Sequence, residues 1–173
     1  MTYPWQMCGL VLLLTVPAAN QEKPANQDSL EGFSFVVGNW SGTFKGYPTA
    51  RIPKSFEAPA RMTSIWGPQH AWIESEADTS IPDMGRYSAK VIVGFDPRVN
   101  TFDSFVINTF GNRARYTGTM VGNKVIFTGK IGDVTQRVTY ENISMTELRF
   151  FVEESHDDGA SYQPHSEILW RRQ

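Results

Sequence analysis

The stretch Val36-Val37-Gly38-Asn39-Trp40-Ser41-Gly42-Thr43-Phe44 decides the fold of this chain. An apolar run meets a glycine, a tryptophan follows two residues later, and a second glycine follows two residues after that. Glycine lets the backbone bend and approach another segment closely. The pattern therefore suits the start of a strand that curves around a large buried ring.

Downstream of this stretch, apolar and polar residues alternate in segments of roughly seven to ten residues that are separated by turn signals. The pair Gly122-Asn123 tolerates positive φ and predicts a tight two-residue hairpin. Counting the opening stretch, we predict ten strands with no helical segment between them. The nine later strands are predicted over 61–66, 71–77, 87–95, 101–108, 114–121, 124–130, 136–142, 147–154 and 162–171.

Consecutive strands joined by tight turns predict an all-β fold, an up-and-down antiparallel β-barrel, because closure removes both exposed sheet edges. A β-sandwich is the alternative, but the even spacing indicates no Greek-key crossover. Gly94, Gly118 and Gly129 lie inside strands and suit barrel corners where strands bend. Residues 45–59 carry three prolines and predict a long loop or a broken edge strand. Whether this segment is a lid stays open.

Composition indicates a single domain with a real core. The chain has 173 residues, of which 40% are hydrophobic and 13% aromatic, and its formal net charge is −2. Without a basic excess, a nucleic-acid partner is not expected. Cys8 is the single cysteine, so removal of the N-terminus would leave no disulfide, no cysteine nucleophile and no thiolate metal ligand. We expect a monomer or a homodimer.

The N-terminal residues differ from the rest of the chain. Residues 7–19 form an apolar run that ends in small residues, which is typical of a signal peptide, and Pro17 keeps it too short to span a membrane. We expect a signal peptide over 1–19, a linker over 20–28 and the barrel domain over 29–173. The protein would then be periplasmic or secreted, with no membrane contact in its mature form. Because no Lys or Arg precedes the run, an apolar N-terminal strand or helix is the alternative.

A short helical turn is predicted just before the opening stretch. Asp28 or Ser29 suits the N-cap position, and Gly32 keeps the helix short. Leu30, Phe33 and possibly Val37 would share one face. We interpret this segment as a plug for the barrel.

Two sets of residues resemble known barrels. A short helix leading into Gly38-x-Trp40 is similar to the start of calycins, the superfamily of lipocalins, fatty-acid-binding proteins and nitrobindin-like barrels. Residues 93–96 (VGFD), 101–105 (TFDSF) and 169–172 (LWRR) resemble an uncharacterised bacterial lipocalin-like family, a domain of unknown function. The resemblance extends over nearly all of the predicted barrel.

The resemblance to calycins implies a structural role for the opening stretch. Trp40, flanked by Gly38 and Gly42, would pack across the closed bottom of the barrel. Arg171 or Arg172 would lie over its ring, a cation–π contact worth roughly 0.5–2 kcal/mol.

An interior cavity is the most plausible functional site. Barrels of this size lie near the crossover between a filled interior and one that holds a single ligand. The leading hypothesis is a calycin-like barrel that binds a small hydrophobic or amphipathic molecule, and the alternative is that large side chains fill the interior. Arg115 or Arg137, if one points inward, would meet a ligand carboxylate. The candidate lining residues are Trp66, Trp72, Phe105, Ile107, Tyr116, Phe127, Tyr140 and Phe150.

His165 supports a second hypothesis, a haem protein. Gln163-Pro164-His165 is similar to the segment that carries the proximal haem histidine in nitrobindin-like barrels, which implies haem as a cofactor and His165 as its axial ligand. Strand alternation places His165 on the face opposite to Ile168 and Trp170. If those two residues face inward, His165 does so only if Pro164 marks a bulge.

No complete catalytic set is visible, so we expect no enzyme and, under the leading hypothesis, no cofactor. His70 and His156 lie in predicted turns, and no pair of histidines has the spacing of a zinc site. The nucleophile elbow Gly-x-Ser-x-Gly, the phosphate-binding loop and the dinucleotide fingerprint are absent.

Overall fold

The computed structural model of the chain describes residues 30–50 and 52–173. Within them, ten antiparallel strands form one closed barrel in which each strand pairs with its neighbours in sequence and the first pairs with the last. The strands are β1 Gly38–Gly46, β2 Phe56–Trp66, β3 Ile73–Ile81, β4 Gly85–Asp96, β5 Thr101–Asn108, β6 Arg113–Val121, β7 Lys124–Ile131, β8 Val134–Asn142, β9 Glu147–Ser155 and β10 Gln163–Arg172. The predicted up-and-down barrel is confirmed. The predicted signal peptide, linker and N-cap lie outside the described residues.

One end of the barrel, here called the floor, is closed by the segment that precedes β1. Residues 30–33 form a helical turn, and Ser34–Val36 continues it as a 3₁₀ helix. Leu30, Phe33 and Val36 are buried at a spacing of three. This corrects the prediction for Val37, because a 3₁₀ helix has three residues per turn and so brings Val36 onto the buried face.

Phe33 is the centre of this closure. Its ring centroid lies 5.8 Å from that of Phe102, 5.9 Å from Phe127 and 5.4 Å from Tyr140. These three aromatic residues come from β5, β7 and β8, so one plug residue packs against the arc of the barrel from β5 to β8. The plug therefore provides the lower part of the barrel core.

Trp40 lies at the floor beside the plug and is 2% exposed. Its indole Nε1 donates a hydrogen bond to the carbonyl oxygen of Val36 at 2.8 Å. The guanidinium carbon of Arg172 lies 4.3 Å from the centre of the indole ring system. Arg171 points away and forms a surface ion pair with Glu147 at 3.4 Å. Of the two predicted arginines, Arg172 therefore covers the tryptophan.

The pairing of β1 with β10, here called the seam, closes the barrel. Its register runs from Trp40↔Arg172 to Gly46↔Ser166. A Cβ atom at Gly42 would lie 2.6 Å from the carbonyl oxygen of Leu169, so a side chain there would push the two strands apart. The glycine at position 42 thus allows close contact between β1 and β10 beside the buried Trp40.

Residues 45–59 are more regular than predicted. β1 continues to Gly46 and β2 begins at Phe56, so only residues 47–55 form a loop. In β2, Ala58 and Ala60 are buried, whereas Pro59 between them is exposed. An outward proline is compatible with the strand here, and its carbonyl oxygen accepts a hydrogen bond from Thr79 Oγ1 at 2.9 Å.

Candidate functional site

A cavity of about 660 Å³ occupies the barrel above the floor. It extends toward the opposite end, here called the mouth, where the loops that follow β1, β3, β5, β7 and β9 lie. Small-molecule pockets commonly measure about 300–1,000 Å³. The interior is therefore hollow at the scale of one small ligand.

Aromatic side chains form much of the lower cavity wall. The ring centroids of Tyr140 and Phe150 are 5.0 Å apart, and those of Phe127 and Tyr140 are 6.0 Å apart. The structure places four of the predicted lining residues, Tyr116, Phe127, Tyr140 and Phe150, in the wall of this cavity.

Four other predicted lining residues lie elsewhere. Trp66 packs at the floor end and stacks on His70 with 4.6 Å between ring centroids, and Trp72 lies next to Gly67 in the same turn region. Phe105 and Ile107 are 44% and 39% exposed on the outer face of β5.

The prediction for β5 assigned the wrong face of the strand to the interior. Phe102, Ser104 and Val106 face the interior, and a shift of one residue reverses which side chains of a strand point inward. The inward position 104 is a serine, whereas the outward positions hold Phe105 and Ile107, so hydrophobicity alone predicts the wrong face.

The opposite part of the wall, on β2 to β5, includes alanine and valine side chains that point inward beside larger residues such as Met62 and Tyr87. Short side chains here leave the space that larger ones would fill. The residues are Ala60, Ala77, Ala89, Val91 and Val106.

Two strand glycines make room for the aromatic wall. Gly118 pairs with Phe127 across β6 and β7, and Gly129 pairs with Tyr116. A Cβ atom at either glycine would lie 2.5 Å from the opposing ring. By contrast, a Cβ atom at Gly94 would meet nothing within 4 Å. At Gly118 and Gly129, the absence of a side chain thus allows an aromatic ring to pack directly on the backbone.

Four polar residues, Tyr116, Gln136, Glu154 and His165, form a connected strip on one side of the cavity. Tyr116 donates its hydroxyl hydrogen to Gln136 Oε1 at 2.6 Å, and Gln136 Nε2 donates to Glu154 Oε1 at 2.8 Å. His165 Nε2 lies 3.6 Å from the same Glu154 oxygen. We call these residues the polar strip.

His165 reaches the cavity because β10 is irregular at this point. The register of β10 against β9 shifts between Pro164 and Ser166, which is the bulge that the sequence left open. As a result, His165 and Ser166 both line the cavity, together with Ile168. His165 Nδ1 lies 3.3 Å from Ser166 Oγ.

Among the described residues that line the cavity there is no Lys and no Arg. The two arginines considered as inward candidates lie on the outer face. Arg115 pairs with Asp103 at 3.0 Å, and Arg137 pairs with Glu153 at 2.8 Å while its guanidinium carbon lies 4.1 Å from the ring centre of Tyr162. Neither meets a molecule inside the barrel.

Burial affects the tyrosines of the cavity. It raises the pKa of Tyr140, with smaller contributions from Tyr116 and Tyr87. It also raises the pKa of Tyr116, with further contributions from Tyr87 and the carboxyl group of Glu154. Both hydroxyls are therefore protonated at neutral pH, and that of Tyr116 donates its hydrogen to Gln136.

The loop 47–55 contributes to the mouth. Tyr47, Thr49, Ala50 and Ile52 line the cavity from this side. The backbone nitrogen of Tyr47 donates to the carbonyl oxygen of His165 at 2.9 Å, which fixes the start of the loop against the bulge. The loop therefore forms part of the wall of the cavity at its mouth.

Residues 30–50 and 52–173 contain neither a metal-binding cluster nor a membrane-spanning helix. No group of three or more His, Cys, Asp or Glu side chains is arranged to hold a metal ion. In this same part of the chain, no helix has the length and apolar character needed to span a membrane.

Solved structures with the same fold exist for proteins of very different sequence. Rv2717c from M. tuberculosis superposes with a TM-score of 0.65 at 18% identity, over 84% of this chain and 97% of that one. The S-type phycobiliprotein lyase CPES from Guillardia theta gives a TM-score of 0.57 at 9% identity, over 84% and 92% of the two chains. No family model and no curated protein sequence matches the chain. At these identities the likeness concerns the fold alone.

Proposed function

We propose that this protein binds one small, largely apolar molecule in its barrel cavity. The observation that carries the proposal is a cavity of about 660 Å³ whose lining is mainly apolar and includes one connected polar strip. Apolar walls with a few placed polar groups are typical of small-molecule sites. Small alanines and valines opposite the aromatic wall keep this space open.

A filled-cavity variant tests the proposal. Ala89 lines the cavity on β4 and is buried. We expect Ala89→Phe to fold with unchanged or higher stability, because its ring enters empty space, and to lose binding of a neutral fluorescent apolar dye such as Nile red. Native mass spectrometry of protein from its own host should show a co-purifying small molecule in the wild type and none in the variant.

The matched control places the same ring outside the cavity. Ser88→Phe changes the preceding residue of β4, which is not part of the cavity lining. Equal dye binding by wild type and Ala89→Phe, or a destabilised Ala89→Phe with normal Ser88→Phe, would contradict a hollow, ligand-binding interior.

Haem is a second candidate ligand, favoured by the bulge that brings His165 into the cavity. The position fits an axial ligand in one respect, since Ser166 lies beside Nδ1 and Nε2 is 3.6 Å from Glu154 Oε1, beyond a normal hydrogen bond. The cavity is less suited to the two negatively charged propionate groups of haem, because no Lys or Arg is among the described lining residues. A histidine-bound haem would supply an iron centre that can take up a further small ligand.

Absorption spectroscopy tests the haem candidate. If His165 is the axial ligand, protein mixed with haem should give a Soret band that His165→Ala weakens and that His156→Ala leaves unchanged. His156 is a suitable control because it also lies at the mouth but is exposed. Protein that stays colourless after addition of haem excludes this candidate.

Export remains part of the proposed function and rests on the apolar run at 7–19. Cell fractionation together with N-terminal sequencing of the purified protein tests it. We expect a mature N-terminus after residue 18, 19 or 20; a cytoplasmic protein that retains residue 7 would contradict export.

A further inference from the structure

The cavity has different chemistry on its two sides. The polar strip projects from β6, β8, β9 and β10 and contains the carboxylate of Glu154, whereas the wall on β2 to β5 combines alanine and valine side chains with larger apolar residues and short polar groups such as Ser75 and Ser104. An apolar molecule with one charged group would therefore meet different surroundings at the strip and at the opposite wall. The residues of the strip then decide which polar group is accepted.

Glu154 is the charged residue of the strip. Its side chain is 20% exposed, and its Oε1 accepts a hydrogen bond from Gln136 Nε2 at 2.8 Å. A carboxylate in apolar surroundings is costly unless it is paired. The nearest ionisable partner is His165 at 3.6 Å, which is too long for a hydrogen bond. A ligand with a positive charge would pair with the Glu154 carboxylate and reduce the cost of burying it.

The second acidic residue at the cavity differs from Glu154. Asp78 is 42% exposed and faces Arg86 at 3.6 Å. It already has a cationic partner and is partly solvated, so a cationic ligand would interact with it only weakly. Glu154 is therefore the carboxylate that a bound molecule would meet.

A negatively charged ligand is disfavoured by the same groups. The described lining residues include no Lys or Arg that would pair with a ligand carboxylate. Like charges brought together in a partly buried site cost several kcal/mol. A fatty acid would have to place its carboxylate in this interior next to Glu154 or leave it at the mouth.

Resting on the proposed function, we propose that the cavity selects an amphiphile with a cationic head group, a hydrophobic amine, and that Glu154 binds the ammonium group. The amine nitrogen donates to the Glu154 carboxylate, and the hydrocarbon part lies against the alanine and valine wall. His165 and Tyr116 flank the head group as further polar contacts.

Displacement of Nile red by three probes of equal chain length tests this proposal: a primary alkylamine, the corresponding alcohol and the corresponding carboxylate. Hydrogen bonds to charged groups contribute about 1.5–3 kcal/mol, and about 1.4 kcal/mol corresponds to a tenfold change in affinity. We expect the wild type to bind the amine at least about tenfold more tightly than the alcohol, and the carboxylate most weakly.

The variant Glu154→Gln should lose about tenfold in amine affinity, leave the alcohol unchanged and bind the carboxylate more tightly. Glu153→Gln is the matched control, because Glu153 is the preceding residue and pairs with Arg137 on the outer face; it should change none of the three affinities. Thermal unfolding verifies that both variants fold.

The outcomes separate this inference from the function on which it rests. A wild type that binds the carboxylate most tightly, or that does not distinguish amine from alcohol, overturns the preference for amines while apolar binding stands. If none of the probes displaces the dye and the dye itself does not bind, the proposed function fails. The order of affinities in the wild type decides the question even where Glu154→Gln does not fold.

Discussion

Arg172 connects three separate segments at the floor. Its guanidinium donates to the carbonyl oxygens of Val37 at 2.8 Å and Phe35 at 3.3 Å, and its Nε donates to Met145 at 3.0 Å, while the group lies over the ring of Trp40. These contacts join the plug, the turn before β9 and the end of β10. A single side chain at the end of the last strand thus fixes the tryptophan of the opening stretch.

Replacing Arg172 should therefore cost more than replacing its neighbour. We expect Arg172→Ala to lower the free energy of unfolding by about 1–3 kcal/mol, since several hydrogen bonds and a cation–π contact are lost. Arg171→Ala is the control and should cost at most about 0.5 kcal/mol, because its ion pair with Glu147 is on the surface. Urea unfolding followed by tryptophan fluorescence measures both, and equal losses would contradict this role of Arg172.

The raised pKa of Tyr140 predicts a loss of stability in alkali. The ordinary tyrosine value is 10.0, and burial raises the pKa in the folded state above it. The hydroxyl therefore favours folding below pH 10, and this contribution is lost as the pH rises from 10 toward the folded-state pKa, where the unfolded chain has already released the proton.

We expect Tyr140→Phe to flatten the decrease of stability above pH 10, because the ionisable group is gone. Urea unfolding at a series of pH values between about 8 and 11 measures the effect. Tyr162→Phe, on the outer face against Arg137, is the control. A Tyr140→Phe curve parallel to that of the wild type would show that this tyrosine does not cause the alkaline loss.

At the scale of the elements, the packing of the β6–β7 pair depends on two glycines, Gly118 and Gly129. We expect Gly118→Ala to cost about 1–3 kcal/mol, because the added methyl would overlap the ring of Phe127. Gly94→Ala should leave the free energy of unfolding unchanged or raise it by up to about 0.5 kcal/mol, since its Cβ meets open space and alanine restricts the unfolded chain. Thermal or urea unfolding compares the two, and a larger loss at Gly94 would refute this account.

Sequence reasoning predicted the elements well where alternation and turn chemistry agree. The hairpin at Gly122-Asn123 and the strands on either side of it are examples. It was less successful where inward positions are small or polar, as at Ser104 and Ala89, because hydrophobicity then no longer identifies the inner face. The start of β2 was also missed. Pro59 favours the prediction of a loop, although a proline that points outward is acceptable in a strand.

The candidate site was predictable only in part. Large aromatic residues such as Phe127 and Tyr140 were identified, because their size makes burial the expected state. The hydrogen bond between Gln136 and Glu154 was not predicted. It depends on the register between β8 and β9, which no local sequence signal specifies. The position of His165 depended in the same way on a bulge that the sequence allowed but did not require.

At the scale of the whole molecule, stability depends on the plug. We expect Phe33→Ala to lower the free energy of unfolding by about 3–5 kcal/mol, because a ring that contacts aromatic residues of three strands is removed. Phe35→Ala is the control and should cost clearly less, since Phe35 is only half-buried. Calorimetric unfolding measures the pair. Similar losses for both would mean that the plug contributes bulk hydrophobicity rather than closure of the floor.

The seam also sets the order in which the molecule can fold. Every other strand pair is a hairpin between neighbours in sequence, whereas Arg172 and the Val37 carbonyl that it binds are 135 residues apart. Contacts between distant residues are slow to form, because the intervening chain must first lose its conformational freedom. During synthesis the eight hairpins from β1 to β9 can assemble while β1 still has one unpaired edge and Trp40 lacks its arginine. The ten-residue strand β10 is therefore the one that pairs with the free edge of β1 and converts an open, aggregation-prone sheet into a closed barrel.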